Sequence, residues 1–139
     1  MSDSGSPYLQ ALQAAVAGES AAVWASGRAA GELGGARRAE AKQELDAHRS
    51  ARDDLRSRVV ALGAEPVDAA VAYVEPFPVV GPAGGRRLMA HINAALAATY
   101  ADLAAASEPA ARREAAALSS EAAVRAVGWG AEPEAFPGT

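Results

Sequence analysis

Residues 14–27 read AAVAGESAAVWASG, and they place one carboxylate, Glu19, within an otherwise apolar helical seam. On either side of this stretch, apolar and small residues recur at alternating steps of three and four, which is typical of one helix face in a bundle. The seam comprises Leu9, Leu12, Val16, Glu19, Val23, Ser26, Ala30 and Leu33. A carboxylate in its middle requires a partner, because burying an isolated charge is unfavourable.

The composition and the spacing of breaks predict an all-α protein with four helices. Alanine, the strongest helix former, accounts for 39 of the 139 residues, and a chain of this length is expected to form one domain over 1–139. The first helix begins at Pro7, behind the capping residue Ser6, and ends at the Gly34-Gly35 pair. The expected helices are about 7–33, 36–62, 86–107 and 109–127.

The segment at about 63–85 is predicted to be an ordered crossover between the second and third helices. It contains four prolines, which forbid a long helix, yet it is too apolar for a disordered linker. Two antiparallel helix pairs joined by one long crossover loop are the plan of a ferritin-like four-helix bundle. The tail at 128–139 carries Trp129 and Phe136, so we expect it to dock on the bundle.

The second and fourth helices supply the predicted neighbours of Glu19. His48 and Arg52 fall on the inner seam of the second helix, so we interpret Glu19, His48 and Arg52 as a buried ion-pair cluster that fixes helix register. An altered metal site and a general acid/base pair, each using Glu19 and His48, are the alternatives. On the fourth helix, Glu121 and Arg125 form an intrahelical pair, or Arg125 reaches Glu19 and extends the cluster.

Four short motifs resemble a ferritin-like domain family of unknown function that is found mainly in high-GC Gram-positive bacteria. They are GESAAVWASG at 18–27, AHRSARD at 47–53, YVEPFPV at 73–79 and AFPG at 135–138. The resemblance spans nearly the whole chain and implies the fold and self-association. That family lends no established activity.

The wider ferritin-like group often holds two metal ions, using Glu-x-x-His on two of its four helices. Here Leu45 stands three residues before His48, and neither Glu114 nor Glu121 has a His three residues further on. We therefore expect no cofactor, with iron or manganese held by Glu19 and His48 as the alternative.

Charge and motif content narrow the expected partners. The net charge of −4, with both signs interspersed, gives no footprint for nucleic acid or a membrane surface, and the chain has no Cys for disulfides or thiolate sites. No secretory signal or span of about 20 apolar residues is apparent, so we expect a cytoplasmic protein.

No catalytic motif is present, which favours a non-catalytic bundle that acts through self-association or protein contacts. Trp24 lies one position off the inner seam and is the expected anchor of a homodimer. A small-molecule ligand of unknown identity in the bundle core is the remaining alternative.

Overall fold

A computed structural model describes residues 5–132, which form four α-helices and no strand. The helices are α1 (Pro7–Glu32), α2 (Gly35–Ala61), α3 (Gly81–Ala105) and α4 (Pro109–Gly128). Local signals set their starts: Ser6 Oγ accepts from the Leu9 amide at 3.1 Å, and a proline occupies the first turn of α1, α3 and α4. The predicted all-α, four-helix class is confirmed.

The topology is two antiparallel pairs, α1 with α2 and α3 with α4, and the pairs meet where α1 packs against α3. Glycines mark that contact, since Gly18 faces Leu96 and Gly85 faces Leu33. As residue numbers rise along α1 they fall along α3, so α3 runs antiparallel to α1 and parallel to α2. The link between α2 and α3 must therefore run the length of the bundle, which explains the long crossover.

The prediction that the third helix begins at about 86 is wrong, because α3 begins at Gly81. Pro82 suits the first helical turn, and the glycines that seemed to break the helix lie inside it. At Gly85 an added Cβ would lie 3.0 Å from Leu33 Cγ and 3.1 Å from the Ala29 carbonyl oxygen. Gly85 is therefore a point of close helix approach.

The core consists of two apolar clusters that lie towards opposite ends of the bundle. On α2 the first cluster takes Leu55 and Val59 and the second takes Ala41, with His48 between them. On α3 the buried Asn93 likewise falls between the two sets. Polar side chains therefore occupy the middle of the bundle.

The crossover lies against α1, where several side chains hold it. Nη2 of Arg28 donates to the Val79 carbonyl at 2.6 Å, and Nε of the same side chain binds Glu75 at 2.6 Å. Trp24 stacks on Tyr73 with ring centroids 5.3 Å apart. The expected dimer anchor is thus covered on one side by its own chain.

The described part of the tail packs as expected at Trp129, which is 4% exposed. Its indole N–H donates to Glu44 at 2.7 Å, and the Arg37 guanidinium lies 4.2 Å from its ring centroid. Phe136, the other residue expected to dock, lies outside the described residues. None of the four described helices combines the length and hydropathy needed to cross a membrane.

Candidate functional site

The centre of the site is a hydrogen-bonded chain across three helices. Nδ1 of His48 on α2 lies 2.6 Å from Oε1 of Glu19 on α1. The Tyr100 hydroxyl on α3 donates to Oε2 of the same carboxylate at 2.5 Å. All three side chains are buried, with at most 3% of each residue exposed. Both oxygens of the carboxylate therefore have a partner within the protein.

The environment of Tyr100 keeps its hydroxyl protonated. Burial is the main cause that raises the pKa of Tyr100, and the charge of Glu19 and the hydrogen bond to it add to the effect. A protonated phenol is a donor, so Glu19 accepts at Oε2. With the carboxylate as acceptor on both oxygens, the proton in the contact with His48 lies on Nδ1.

One polar atom of His48 takes no part in these hydrogen bonds. Nε2 of His48 is buried and has no hydrogen-bond partner among the described residues. Buried polar side-chain atoms in native proteins nearly always form a hydrogen bond with the protein, a water, an ion or a ligand. His48 lines a cavity of about 180 Å³ between α2 and α4, where helix backbones do not pack closely. The other lining residues are Glu19, Glu44, Ala47, Ala51, Tyr100, Leu118, Glu121 and Arg125.

A second cavity of about 180 Å³ continues the gap between α2 and α4 towards Tyr8 and shares Ala51, Tyr100 and Leu118 with the first. The two helices are bridged beside it by Arg58, whose Nη2 lies 2.6 Å from Oε1 of Glu114. That hydrogen bond raises the pKa of the Arg58 guanidinium. The gap is thus a trough with polar side chains on its rim.

Arg125 stands at the edge of the first cavity, held by a buried amide. Its Nε donates to Oδ1 of Asn93 at 2.9 Å. Nδ2 of Asn93 in turn donates to Oε1 of Glu44 at 3.0 Å and to the Met89 carbonyl at 3.0 Å. Oε2 of Glu44 accepts the Trp129 indole N–H. This second network fixes the guanidinium of Arg125 beside the cavity.

The structure places the sequence-predicted site residues in three different ways. Glu19 and His48 are in direct contact, whereas Arg125 lines the same cavity without bonding to Glu19. Arg52, predicted to lie in the buried cluster with Glu19 and His48, lies outside it, because its Nε binds Asp53 at 3.1 Å and its side chain is 30% exposed. Ala51 takes the inward position on that turn, since a small apolar side chain is buried at less cost than a guanidinium.

The prediction that Glu121 and Arg125 form an intrahelical pair is also wrong. Arg125 bonds Asn93 instead and lies 3.9 Å from Glu44, while Glu121 is exposed at the cavity wall. The alternative prediction, that Arg125 reaches Glu19, is only partly met. Arg125 lines the same cavity as Glu19 but does not bond to it.

Two residues of the site were missed by the interpretation of the sequence. Tyr100 and Glu44 are not among the residues predicted to surround Glu19. A signal for Tyr100 exists in the sequence: Asn93, Leu96 and Tyr100 recur at steps of three and four, which is the spacing of one helix face. A buried phenol also needs a hydrogen-bond acceptor, which would have connected it to Glu19.

This geometry gives little support to the alternative of a metal site. Glu19 and His48 are adjacent, but between residues 5 and 132 no group of three or more His, Cys, Asp or Glu side chains is placed to hold a metal ion. The carboxylate oxygens of Glu19 and Glu44 already accept hydrogen bonds from other side chains. Only Nε2 of His48 is both buried and unpartnered at this cavity.

Comparison with known proteins identifies the family of the chain. The family described as Domain of unknown function (DUF4439) matches residues 11–139. The chain belongs to this family. The expectation of a domain of unknown function is thereby confirmed, and the DUF4439 description names no activity.

A solved structure shares the DUF4439 chain's fold. It is a conserved hypothetical protein, rv2844, from Mycobacterium tuberculosis, which is 25% identical and superposes with a TM-score of 0.84. The similarity covers 93% of this chain and 97% of that chain. No curated protein matches the chain.

Proposed function

We propose that the domain is a ferritin-like bundle that binds a small molecule, without catalysis, in the cavity between α2 and α4. One observation carries the proposal: Nε2 of His48 is buried at the wall of a cavity of about 180 Å³ and has no hydrogen-bond partner within residues 5–132. Leaving such an atom unpaired is unfavourable, so a ligand that forms a hydrogen bond with it stabilises the native fold. The two helix pairs and their long crossover support the ferritin-like assignment.

The lining supports binding of a small ligand with one polar end. Ala47, Ala51 and Leu118 form an apolar wall, and His48 and Arg125 add polar groups near it. Ligand sites commonly combine an apolar surface with a few placed polar groups. This cavity is smaller than the roughly 300 Å³ at which drug-sized ligand pockets begin. The expected ligand has only a few heavy atoms.

Thermal unfolding against a panel of small metabolites tests the proposal. A bound compound raises the melting temperature, and at one hundred times its Kd it stabilises by about 2.7 kcal/mol. Ala51→Leu fills the cavity and abolishes that shift, whereas Ala39→Leu, exposed on the same helix, preserves it. The proposal fails if no compound raises the melting temperature and none is found in the purified protein by native mass spectrometry.

A second candidate function, self-association, has its own observation. Among the described residues, six of the eight exposed large hydrophobic side chains fall between positions 60 and 80. They are Val60, Leu62, Val67, Val71, Val74 and Val80. Exposed apolar surface concentrated in this way marks protein contacts. The interface we propose is thus the crossover, in place of Trp24.

Light scattering on matched variants tests the homodimer. We expect wild type to show twice the mass of one chain, and Val71→Asp with Val74→Asp to reduce it to one. Val124→Asp is the control, because Val124 is 72% exposed on α4 and away from the crossover. A wild-type mass of one chain at all concentrations would exclude self-association.

A further inference from the structure

The charge balance around Glu19 determines what Nε2 of His48 presents to the cavity. Glu19 is 2% exposed, and the two side chains bonded to it are His48 and Tyr100. A buried carboxylate is normally balanced by a positive charge, and of these two partners only the imidazole can carry one. When the imidazole carries this charge, Nδ1–H donates to Glu19 and Nε2–H is a donor without an acceptor among residues 5–132.

Arg125 supplies a second donor at the same cavity. Its Nε is bound to Asn93, and within residues 5–132 its two terminal amino groups have no acceptor at hydrogen-bonding distance. The guanidinium is one-third exposed, so it lies where a ligand entering from solvent would meet it. Planar guanidinium groups bind carboxylates through two parallel hydrogen bonds.

The acidic residues of the lining offer these donors no free acceptor oxygen, although Glu44 lies 3.9 Å from Nε of Arg125. Each oxygen of Glu19 and Glu44 already accepts a hydrogen bond, from His48, Tyr100, Asn93 and Trp129. Glu121 is exposed to solvent, where water screens its charge. The groups with unused hydrogen-bonding capacity at the cavity wall are therefore the donors of His48 and Arg125. An anionic oxygen is the complement that they lack.

We propose that the ligand is a small monocarboxylate whose carboxylate group bridges Nε2–H of His48 and the guanidinium of Arg125. This rests on the proposed ligand-binding function and names its ligand class. The alkyl part of the ligand lies against Ala47, Ala51 and Leu118, and the cavity of about 180 Å³ limits it to a few carbons. In the bound state, negative and positive groups then alternate in the order Glu19, His48, ligand carboxylate, Arg125.

Nuclear magnetic resonance of the full chain tests the ligand class with defined probes. The probes are acetate, propionate and butyrate, with butyramide and butylammonium as neutral and cationic controls of similar size. We expect the carboxylates to shift the His48 ring nitrogen signals in a saturable way at constant ionic strength. The amide and the ammonium should leave those signals unchanged.

Variants at two arginines separate a specific site from a general ionic effect. Arg125→Gln should weaken butyrate binding by about tenfold to hundredfold, the effect of losing charge-assisted hydrogen bonds. Arg52→Gln is the matched control on α2, because Arg52 lies outside the cavity lining and should bind butyrate like wild type. Neither Arg125 nor Arg52 is a hydrogen-bond partner of Glu19 or His48, and circular dichroism checks that both variants are folded.

The outcomes distinguish this inference from the function on which it rests. Saturable binding of butyramide or butylammonium at His48, without butyrate, would overturn the carboxylate assignment and preserve ligand binding. Equal butyrate affinity in wild type and Arg125→Gln would overturn the bridging role of Arg125. If no carboxylate shifts His48, the ligand class is wrong, and the metabolite panel with Ala51→Leu then decides the function by itself.

Discussion

The side chains of Glu19 and His48 meet at 2.6 Å between α1 and α2, and each is 3% exposed. Their positions are 29 residues apart, on opposite sides of the turn that reverses the chain. Because the contact is short and excluded from water, it specifies one alignment of the two helices. The same contact orients the imidazole so that Nε2 belongs to the cavity wall.

Removing the carboxylate should destabilise the fold strongly. We expect Glu19→Ala to lower the free energy of unfolding by about 3–5 kcal/mol, since it leaves His48 and Tyr100 buried without their partner. Glu19→Gln, which keeps the shape and hydrogen-bonding capacity, should cost less. Chemical denaturation with urea measures both values.

Asp102→Ala is the matched control for this experiment. Asp102 is an exposed carboxylate on α3 whose side chain forms no hydrogen bond or ion pair among the described residues, so its loss should change stability by less than about 0.5 kcal/mol. An equally small effect of Glu19→Ala would contradict the buried cluster.

Alkaline pH should weaken the fold through Tyr100. Burial and the nearby Glu19 carboxylate raise its pKa in the folded state above the ordinary value of about 10. Above that pH the unfolded chain loses the phenol proton and the native state keeps it, so stability falls as pH rises, by up to about 1.4 kcal/mol per pH unit. Unfolding curves at a series of alkaline pH values measure the slope.

Tyr100→Phe isolates this contribution from every other titrating group. At neutral pH the variant should lose about 1–3 kcal/mol, because Oε2 of Glu19 loses its donor. Above pH 10 its stability should decline less steeply than that of wild type. Parallel declines in the two proteins would show that the Tyr100 hydroxyl is already accessible in the native state.

The helix content could be predicted from sequence because its signals are local. Proline at helix starts, glycine at ends and steps of three and four along Leu9 to Leu33 all depend on neighbours in the chain. The start of α3 could not be predicted in the same way. Gly85 lies inside α3 in close contact with Leu33 and Ala29, and that contact is a property of the assembled bundle.

The site was harder to predict because helix phase decides which side chains meet. Four residues after His48, Arg52 lies outside the cavity lining, whereas the neighbouring Ala51 is part of it. On α3, Tyr100 bonds Glu19, whereas the neighbouring Thr99 bonds the Ala95 carbonyl of its own helix. Periodicity finds the polar layer but not the identity of its members, since adjacent positions differ by only about 100° around the helix.

A matched pair of glycine substitutions tests the packing of α3 on α1. Gly85→Ala should destabilise by about 1–3 kcal/mol, because its Cβ would lie 3.1 Å from the Ala29 backbone oxygen and would force the helices apart. Gly31→Ala should be neutral or stabilising by up to about 1 kcal/mol, since nothing lies within 4 Å of that Cβ. Thermal unfolding of both variants checks the pair, and equal effects would contradict the close approach at Gly85.

Arg28 holds the crossover against α1. It bonds the Glu75 carboxylate and the Val79 carbonyl, both at 2.6 Å, and the bond to Glu75 raises the pKa of the guanidinium. Arg28→Ala should release this segment locally, because both contacts tie it to α1. Limited chymotrypsin digestion should then cut after Tyr73 several times faster than in wild type.

Phe77 is a poor competing site for the protease because Pro78 follows it. Arg52→Ala is the matched control, since Arg52 bonds Asp53 within its own helix and touches no part of the crossover at hydrogen-bonding distance. We expect its cleavage rate to equal that of wild type. If Arg28→Ala is cut no faster than Arg52→Ala, the stacking of Trp24 on Tyr73 must hold the segment without the arginine.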